Sequence, residues 1–516
     1  MDQRGTASRW DERARGLAVV ALVALLAPLT ALTAPAGPVR AQPALLAEAQ
    51  AHPEAETHVI VQKASVDARA EALVTSLGGQ VTKDLDIISA FAADLPGRAV
   101  MTLATDPLVR WVSLDAPLFR SACHGCVSAA NLQSVYPQAI GATRLWPDAP
   151  DGQPGLGVAV AVVDSGVNSQ PDLNMWTGRT RIVAGVRFDN GAAPTVNDNN
   201  GHGSHVAGII GGDGDSSDGA YIGLAPSVNL VNVKVSAEDG SASASSVVSG
   251  LQWILNNKGR YNIRVVNLSL NSATAQPYDV DPIDAACEIL WFNGIVVVAA
   301  AGNNAGSALT APANDPFVIT VGATDDHGTP GLADDTIAPF SASGPLNAGG
   351  AKPDLVAPGT NIVSVMGLWG GTLPTQHPAN IVNQSYFRMS GTSMAAPMVA
   401  GAVALLLQRE PGLNPDQVKY RLKASAVHDT QRWPGYDAAR AGAGYLDIYA
   451  AVHSGAMQSA NTGIAASSLL WTGSSPVAWN SVNWGSVNWG SVNWGSVNWG
   501  SVNWGSVNWG SDYWGP

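Results

Sequence analysis

Met389-Ser390-Gly391-Thr392-Ser393-Met394-Ala395-Ala396-Pro397 sets a serine just after a Gly-Thr turn, and the run it opens, 394–407, is almost wholly small and apolar. A hydroxyl there stands at the first turn of a buried helix, where unpaired N–H groups and the helix dipole favour developing negative charge. Pro397 is read as tolerable in that first turn, where an N–H has no helical partner. Taken alone, the stretch also reads as an ordinary helix cap, with Ser393 bonded to backbone. Two upstream segments decide between these readings.

The first is Val160-Ala161-Val162-Val163-Asp164-Ser165-Gly166-Val167. A continuous apolar run ending in a carboxylate and then a glycine reads as a buried parallel strand with Asp164 at its C-terminal edge, where α/β sheets place ligands. The second is Asn200-Gly201-His202-Gly203-Ser204-His205-Val206-Ala207-Gly208, a histidine at a glycine-flanked junction between loop and apolar helix. Asp, His and Ser then follow one another in the chain, each at the end of a core element. Acyl transfer needs these three groups: a nucleophile, a base to take its proton and a carboxylate to hold the base.

The rest of the chain between 134 and 452 alternates apolar strand runs with helical patterns, as a parallel α/β sheet requires. Val158 to Val163 and Ile295 to Ala301 are apolar throughout, which marks strands covered on both faces. A stretch of this length buries a large core without covalent staples.

The three motifs, VAVVDSGV, NGHGSHVAG and SGTSMAAPMVAG, resemble those of the subtilisin-like serine proteases, whose chain order is likewise Asp, His, Ser. The resemblance covers roughly Ser134 to Val452. It implies an α/β, three-layer fold with a mostly parallel sheet and a serine endopeptidase activity that needs no cofactor for its chemistry. It makes Asp164 the orienting carboxylate, His202 the general base and Ser393 the nucleophile. His205, three residues further on, is left a packing role. Val296 to Asn303 resembles the strand that ends in the family's oxyanion donor, here Asn303. Ser269, Leu270 and Asn271 match the edge that pairs with an extended peptide, and Ala301 and Gly302 face it. Asn271 stands where the family usually has glycine. It reads either as a side chain narrowing the pocket or as a plain strand end. No carboxylate is placed to select Lys or Arg, so a neutral or apolar preference is expected.

Residues 1–41 read as a secretory signal: Arg4, Arg9, Arg13 and Arg15 precede an apolar run, Leu17 to Leu32, and Val39-Arg40-Ala41 offers small residues for cleavage. A membrane anchor is the alternative, but the run is short for spanning. After a spacer, 42–56, the segment 57–119 reads as β-α-β-β-α-β, a ferredoxin-like α+β order. It resembles the inhibitory propeptide of secreted subtilisin-like enzymes, so self-cleavage is expected between about Asp115 and Asn131. The catalytic domain then runs over 120–455.

Three cysteines rule out a disulfide scaffold. Cys123 and Cys126, in a CxxC, read as a small local disulfide after export, and Cys287 as a buried free thiol. Gly212 to Gly219 is an acidic turn that reads as a solvated loop; the resemblance implies the alternative of a stabilising calcium site completed by Asp172, although the carboxylate spacing is not that of an EF-hand. A net charge of −13 argues against nucleic-acid partners and for a soluble exported protein. The remainder, 456–516, reads as a low-complexity tail in which Ser-Val-Asn-Trp-Gly repeats six times over 481–510. Regular indoles suit stacking on a cell surface or polymer; a flexible, sticky extension is the alternative. A surface protein using a protease fold as scaffold is the competing function, and a degenerate triad would favour it. None is seen.

Overall fold

The computed structural model describes residues 38–65, 67–120, 134–175, 178–189 and 194–470. The signal-like segment, the CxxC and the Trp repeats lie outside the described residues. Among those described, no helix is long and apolar enough to cross a membrane.

The N-terminal part is a four-stranded antiparallel sheet. Its elements follow as α1 (Pro43–Ala51), β1 (Glu56–Lys63), α2 (Arg69–Ser76), β2 (Gln80–Leu85), β3 (Ala90–Pro96), α3 (Gly97–Thr105) and β4 (Val109–Leu114). Strand order is β2-β3-β1-β4. The turn after α2 depends on two glycines: Gly78 has φ +83°, and a Cβ on Gly79 would lie 2.7 Å from the Asp94 carbonyl oxygen. One face of the sheet packs on the helices through Val59, Val61, Phe91, Val100 and Leu103.

The stretch 42–56, expected as a spacer, instead carries α1. Its Leu45 and Ala49 are buried in the same cluster, and Gln42 is tied to Val112 through its N–H at 2.9 Å. The cause is tertiary. A nine-residue helix is marginal in water and is held here by packing on α3.

The larger part is built on an eight-stranded sheet. β5 (Pro117–Arg120), β9 (Ala242–Ser243) and β11 (Leu270–Ser272) form a small sheet of their own, and the strands of the large one include β6 (Ala159–Asp164), β7 (Ile182–Arg187), β8 (Asn229–Lys234), β10 (Ile263–Leu268), β12 (Val296–Ala300) and β13 (Ile319–Asp325). These pair in parallel in the order β13-β12-β10-β6-β8-β7. Leu355–Pro358 adds a further parallel strand, and Thr336–Ile337 an antiparallel one. Every residue of β6 and β12 is buried, as two-sided cover demands. The helices α4 (His202–Gly211) and α7 (Thr392–Arg409) pack together, as do α5 (Ala244–Tyr261) and α6 (Pro282–Phe292).

The N-terminal sheet sits with its other face on the second pair. Ile60, Leu85, Ile88, Ala90 and Ala92 join the main core. Lys83 Nζ donates to Ser246 Oγ at 2.9 Å, the Ser245 N–H donates to Asp115 at 2.8 Å, and the Ile87 N–H donates to Gln252 at 3.2 Å.

Helix α6 carries a buried acidic group. Asp281 caps it, accepting from the Ile283 N–H at 2.8 Å. Both Asp284 carboxyl oxygens are buried without a hydrogen-bond partner. Burial, with Asp281, Asp315 and Glu288 nearby, pushes the Asp284 carboxyl well above its ordinary range, while burial lifts Asp315 to about 7 and Asp281 to about 6. A carboxyl raised on folding stabilises below its unfolded value of about 3.9 and loses that contribution as pH rises. Asp284→Asn removes this liability. Its gain in melting temperature over the parent should be near zero at pH 4 and grow towards pH 8; a gain independent of pH would contradict this. Cys287, on the same helix, is buried and free, with its thiol pushed up by burial.

The expected tail boundary at 456 needs correction. Residues up to Leu470 are packed: Asn461 donates to the Phe317 carbonyl at 3.2 Å, and Leu469 and Leu470 are buried in the main core. Their neighbours are distant in sequence, so composition gives no sign of them.

Candidate active site

Asp164 ends β6 and His202 opens α4, so strand and helix deliver a carboxylate and an imidazole to one point. His202 Nδ1 lies 2.8 and 2.9 Å from the two Asp164 oxygens, and both side chains are at most 1% exposed. This approach depends on Gly203: a Cβ there would lie 2.1 Å from the Gly166 carbonyl oxygen and 3.1 Å from the Asp164 Cβ. His202 Nε2 is buried and has no hydrogen-bond partner. His205 is one turn on and turned elsewhere. Its Nε2 faces the carbonyls of Phe387 and Ile362 at 2.9 and 3.1 Å, so that nitrogen carries the proton. Burial holds its pKa down to about 3.

Asp198 organises the entry to α4. It accepts from the Gly201 and Ser204 N–H groups at 2.7 and 2.8 Å and from Ser165 Oγ at 2.8 Å. Ser165 Oγ accepts in turn from the Gly203 N–H at 3.0 Å.

Ser393 is the second residue of α7, fully buried, and its N–H is one of the four without an intrahelical acceptor. Its Oγ donates to the Ser269 carbonyl at 3.1 Å. No hydrogen bond joins it to His202 in this structure. Pro397 is the sixth helical residue, not a first-turn one as the sequence suggested. It therefore removes an N–H that would have bonded the Ser393 carbonyl. Ser269 Oγ supplies the missing donor at 2.9 Å. The two serines are thus tied reciprocally, which fixes the start of α7 against the end of β10.

Asn303 follows β12. Its Oδ1 accepts from both the N–H and the hydroxyl of Thr392, at 2.8 and 2.9 Å. This fixes the amide orientation, and Nδ2 is left buried with no partner. This orphaned buried donor, held through Oδ1 by the residue before Ser393, is free to donate to an anion. The Gly302 N–H donates to Thr392 Oγ1 at 3.0 Å, and the Ala301 N–H to the Val321 carbonyl at 2.9 Å. Asn271 Nδ2 donates to the Ala300 carbonyl at 2.9 Å, bridging the edges that Ser269 and Leu270 on one side and Ala301 and Gly302 on the other provide.

Beside this edge, Pro117–Arg120 forms the middle strand of a three-stranded antiparallel sheet. Leu118, Phe119 and Arg120 pair with Ser272, Asn271 and Leu270, and Pro117 and Leu118 pair with Ser243 and Ala242. The expected boundary between 119 and 120 cuts through this strand, because the pairing that holds it is long-range. The strand runs towards Ser269, and hence towards Ser393.

Asp172, the carboxylate of the alternative calcium reading, is engaged within the protein. One oxygen accepts from the Ser216 N–H at 2.8 Å and the other from the Tyr386 hydroxyl. Among the described residues no group of three His, Cys, Asp or Glu side chains is placed to hold a metal ion.

A sequence profile described as the subtilase family matches residues 155–449, and one of pentapeptide repeats (8 copies) matches 480–515. The chain is 40% identical over 305 residues to the serine protease AprX of Bacillus subtilis (strain 168), covering 57% of this chain and 65% of that one. It is 33% identical over 366 residues to subtilisin E of the same strain, covering 70% and 81%. Among solved structures it resembles fervidolysin from Fervidobacterium pennivorans, described as a keratinolytic enzyme related to subtilisin. There the TM-score is 0.61 at 23% identity, covering 80% of this chain and 62% of that one, and the likeness concerns the fold.

Proposed function

The chain belongs to the subtilase family and is a serine endopeptidase; from that premise we propose that it cleaves peptide bonds through Asp164, His202 and Ser393, and that it is made as a secreted, self-processing zymogen. The observation that supports the catalytic assignment is the buried Asp164–His202 pair with Nε2 unpartnered; the packing of α4 on α7, which Ser393 helps open, and the orphaned Asn303 amide bonded to Thr392 agree with it.

In the proposed cycle Ser393 Oγ turns about its Cα–Cβ bond from the Ser269 carbonyl to His202 Nε2. The imidazole takes the proton as Oγ attacks the peptide carbonyl, and Asp164 holds the Nδ1–H and stabilises the imidazolium. The carbonyl oxygen becomes an oxyanion, held by Asn303 Nδ2 and the Ser393 N–H. The amine leaves with the proton from His202, and water, activated by the same base, frees the acyl group. Asn303→Ala should lower kcat about a hundred- to a thousandfold with little change in KM, the effect known for the corresponding donor in subtilisin. An unchanged kcat in steady-state kinetics would remove Asn303 from the mechanism.

The substrate is a protein or peptide in extended form, held by backbone pairing to Leu270–Ser272 and Ala242–Ser243. Ala301, Gly302 and the Asn271 amide face the residue before the scissile bond. The zymogen reading is supported by Pro117–Arg120, which lies along that same edge as a substrate would, and by the 38–116 region seated on α5 and α6. Export rests on the pattern of residues 1–41. The repeats are proposed to hold the enzyme to a cell surface or polymer. A chain lacking 475–516 should then be retained less on an insoluble polymer, and equal retention would contradict it.

A further inference from the structure

Residues 464–470 lie between the two parts of the protein and bond to both. On the side of the protease domain, the Ala465 carbonyl accepts from the Tyr278 hydroxyl at 3.0 Å. The Ser467 N–H donates to Glu288 Oε2 at 2.6 Å, and the Ser467 and Ser468 hydroxyls donate to the Asp279 carbonyl at 3.0 and 2.6 Å. On the other side, Gln62 Nε2 of β1 donates to the Leu469 carbonyl at 2.6 Å, and the Arg110 guanidinium of β4 donates to the Ser468 carbonyl. Gln62 is 3% exposed. Ala466, Leu469 and Leu470 share one buried cluster with Ile60, Ile88 and Ala92 of the N-terminal sheet and with helix α6.

We propose that residues 464–470 are a strap that fastens the N-terminal domain onto the protease domain, so that the C-terminal segment sets how fast that domain lets go. This rests on the reading of the N-terminal domain as an inhibitor. The physical reason is an asymmetry. Without the strap Gln62 keeps the Ile88 carbonyl at 3.0 Å but loses its second acceptor, and the half-buried Arg110 loses the Ser468 carbonyl, and leaving a donor without its partner costs more than an average hydrogen bond contributes. Two leucines would also lose their cover. Docking through Lys83, Ile87 and Asp115 alone leaves that corner of the sheet open. The segment is also the last of the described residues before the Trp repeats.

The test uses the uncut protein. In a Ser393→Ala background, amide hydrogen exchange is followed in Val59–Gln62 and in Val160–Val163 for the full chain, a chain ending at Leu470 and one ending at Gly463. The first two should match. The third should exchange about tenfold or more faster in Val59–Gln62 while Val160–Val163 stays protected. Equal exchange in all three, or faster exchange in both segments alike, would overturn the strap. If the shortest chain does not fold, Arg110→Ala in the full chain should show the same local acceleration, and its absence overturns the proposal. An uncut parent chain already active on peptides would defeat the inhibitor reading while leaving the exchange result to judge the strap.

Discussion

Alanine in place of Ser393 is expected to lower kcat about a millionfold while leaving the fold intact. The size is that found for subtilisin's own nucleophile, carried over because the parts are the same. The structural reason to expect a chemical effect alone is local. Ser393 Oγ makes one hydrogen bond, to the Ser269 carbonyl, whereas the return bond, from Ser269 Oγ to the Ser393 carbonyl, survives the substitution. The start of α7 therefore keeps its anchor. The remaining activity would come from binding and from the Asn303 donor. The same change should stop self-processing: the parent should lose its chain from residue 42 to about 120, while Ser393→Ala stays whole by mass spectrometry. A variant processed like the parent would mean that another protease or another residue makes the cut.

Asp354→Asn is expected to destabilise the protease domain by about 3–5 kcal/mol, the cost of leaving buried charges without their partner. Asp354 is 3% exposed, and Lys352 and Lys419 are each 2% exposed. Its oxygens lie 2.6 Å from Lys352 Nζ, 3.0 Å from Lys423 Nζ and 3.1 Å from Lys419 Nζ, and one also accepts from the Thr320 N–H at 3.0 Å. Burial alone would raise this carboxyl, but the lysines override it and hold it well below the ordinary range. Asparagine keeps the shape and the contact with Thr320, yet leaves two buried lysines facing a neutral amide. For a domain of this size the melting temperature should fall by roughly 10 °C. The comparison belongs in a Ser393→Ala background, where autolysis cannot mimic unfolding. A fall of only a degree or two would mean that the carbonyls of Pro316, Phe317 and Val318 carry Lys419 by themselves.

Much of this was legible in the sequence because the chemistry sits at the ends of elements with strong patterns. The apolar run into Asp164 could only be a covered strand, and it is. The glycines around His202 and the small-residue run after Ser393 announced close-packed helices. What stayed hidden depends on contacts far along the chain. Ser269 looked like part of a strand end, and its service to the Ser393 carbonyl appears only once Pro397 is seen inside the helix. Helix α1 has too few residues and too weak a pattern to declare itself without α3 beneath it. Residues 456–470 share the uncharged, small-residue composition of the tail, and only Asn461 and Leu469, in place, show that the fold continues through them. Asp198 was visible but mute, since nothing local says that three separate donors will converge on it.

The most direct test of the central claim is to treat the mature protein with a fluorophosphonate and map the modified residue by peptide mass spectrometry. One adduct on the peptide containing Ser393, formed in step with the loss of casein hydrolysis and absent from His202→Ala, is the predicted result. An adduct on another residue, or full hydrolysis remaining after Ser393 is modified, would contradict it.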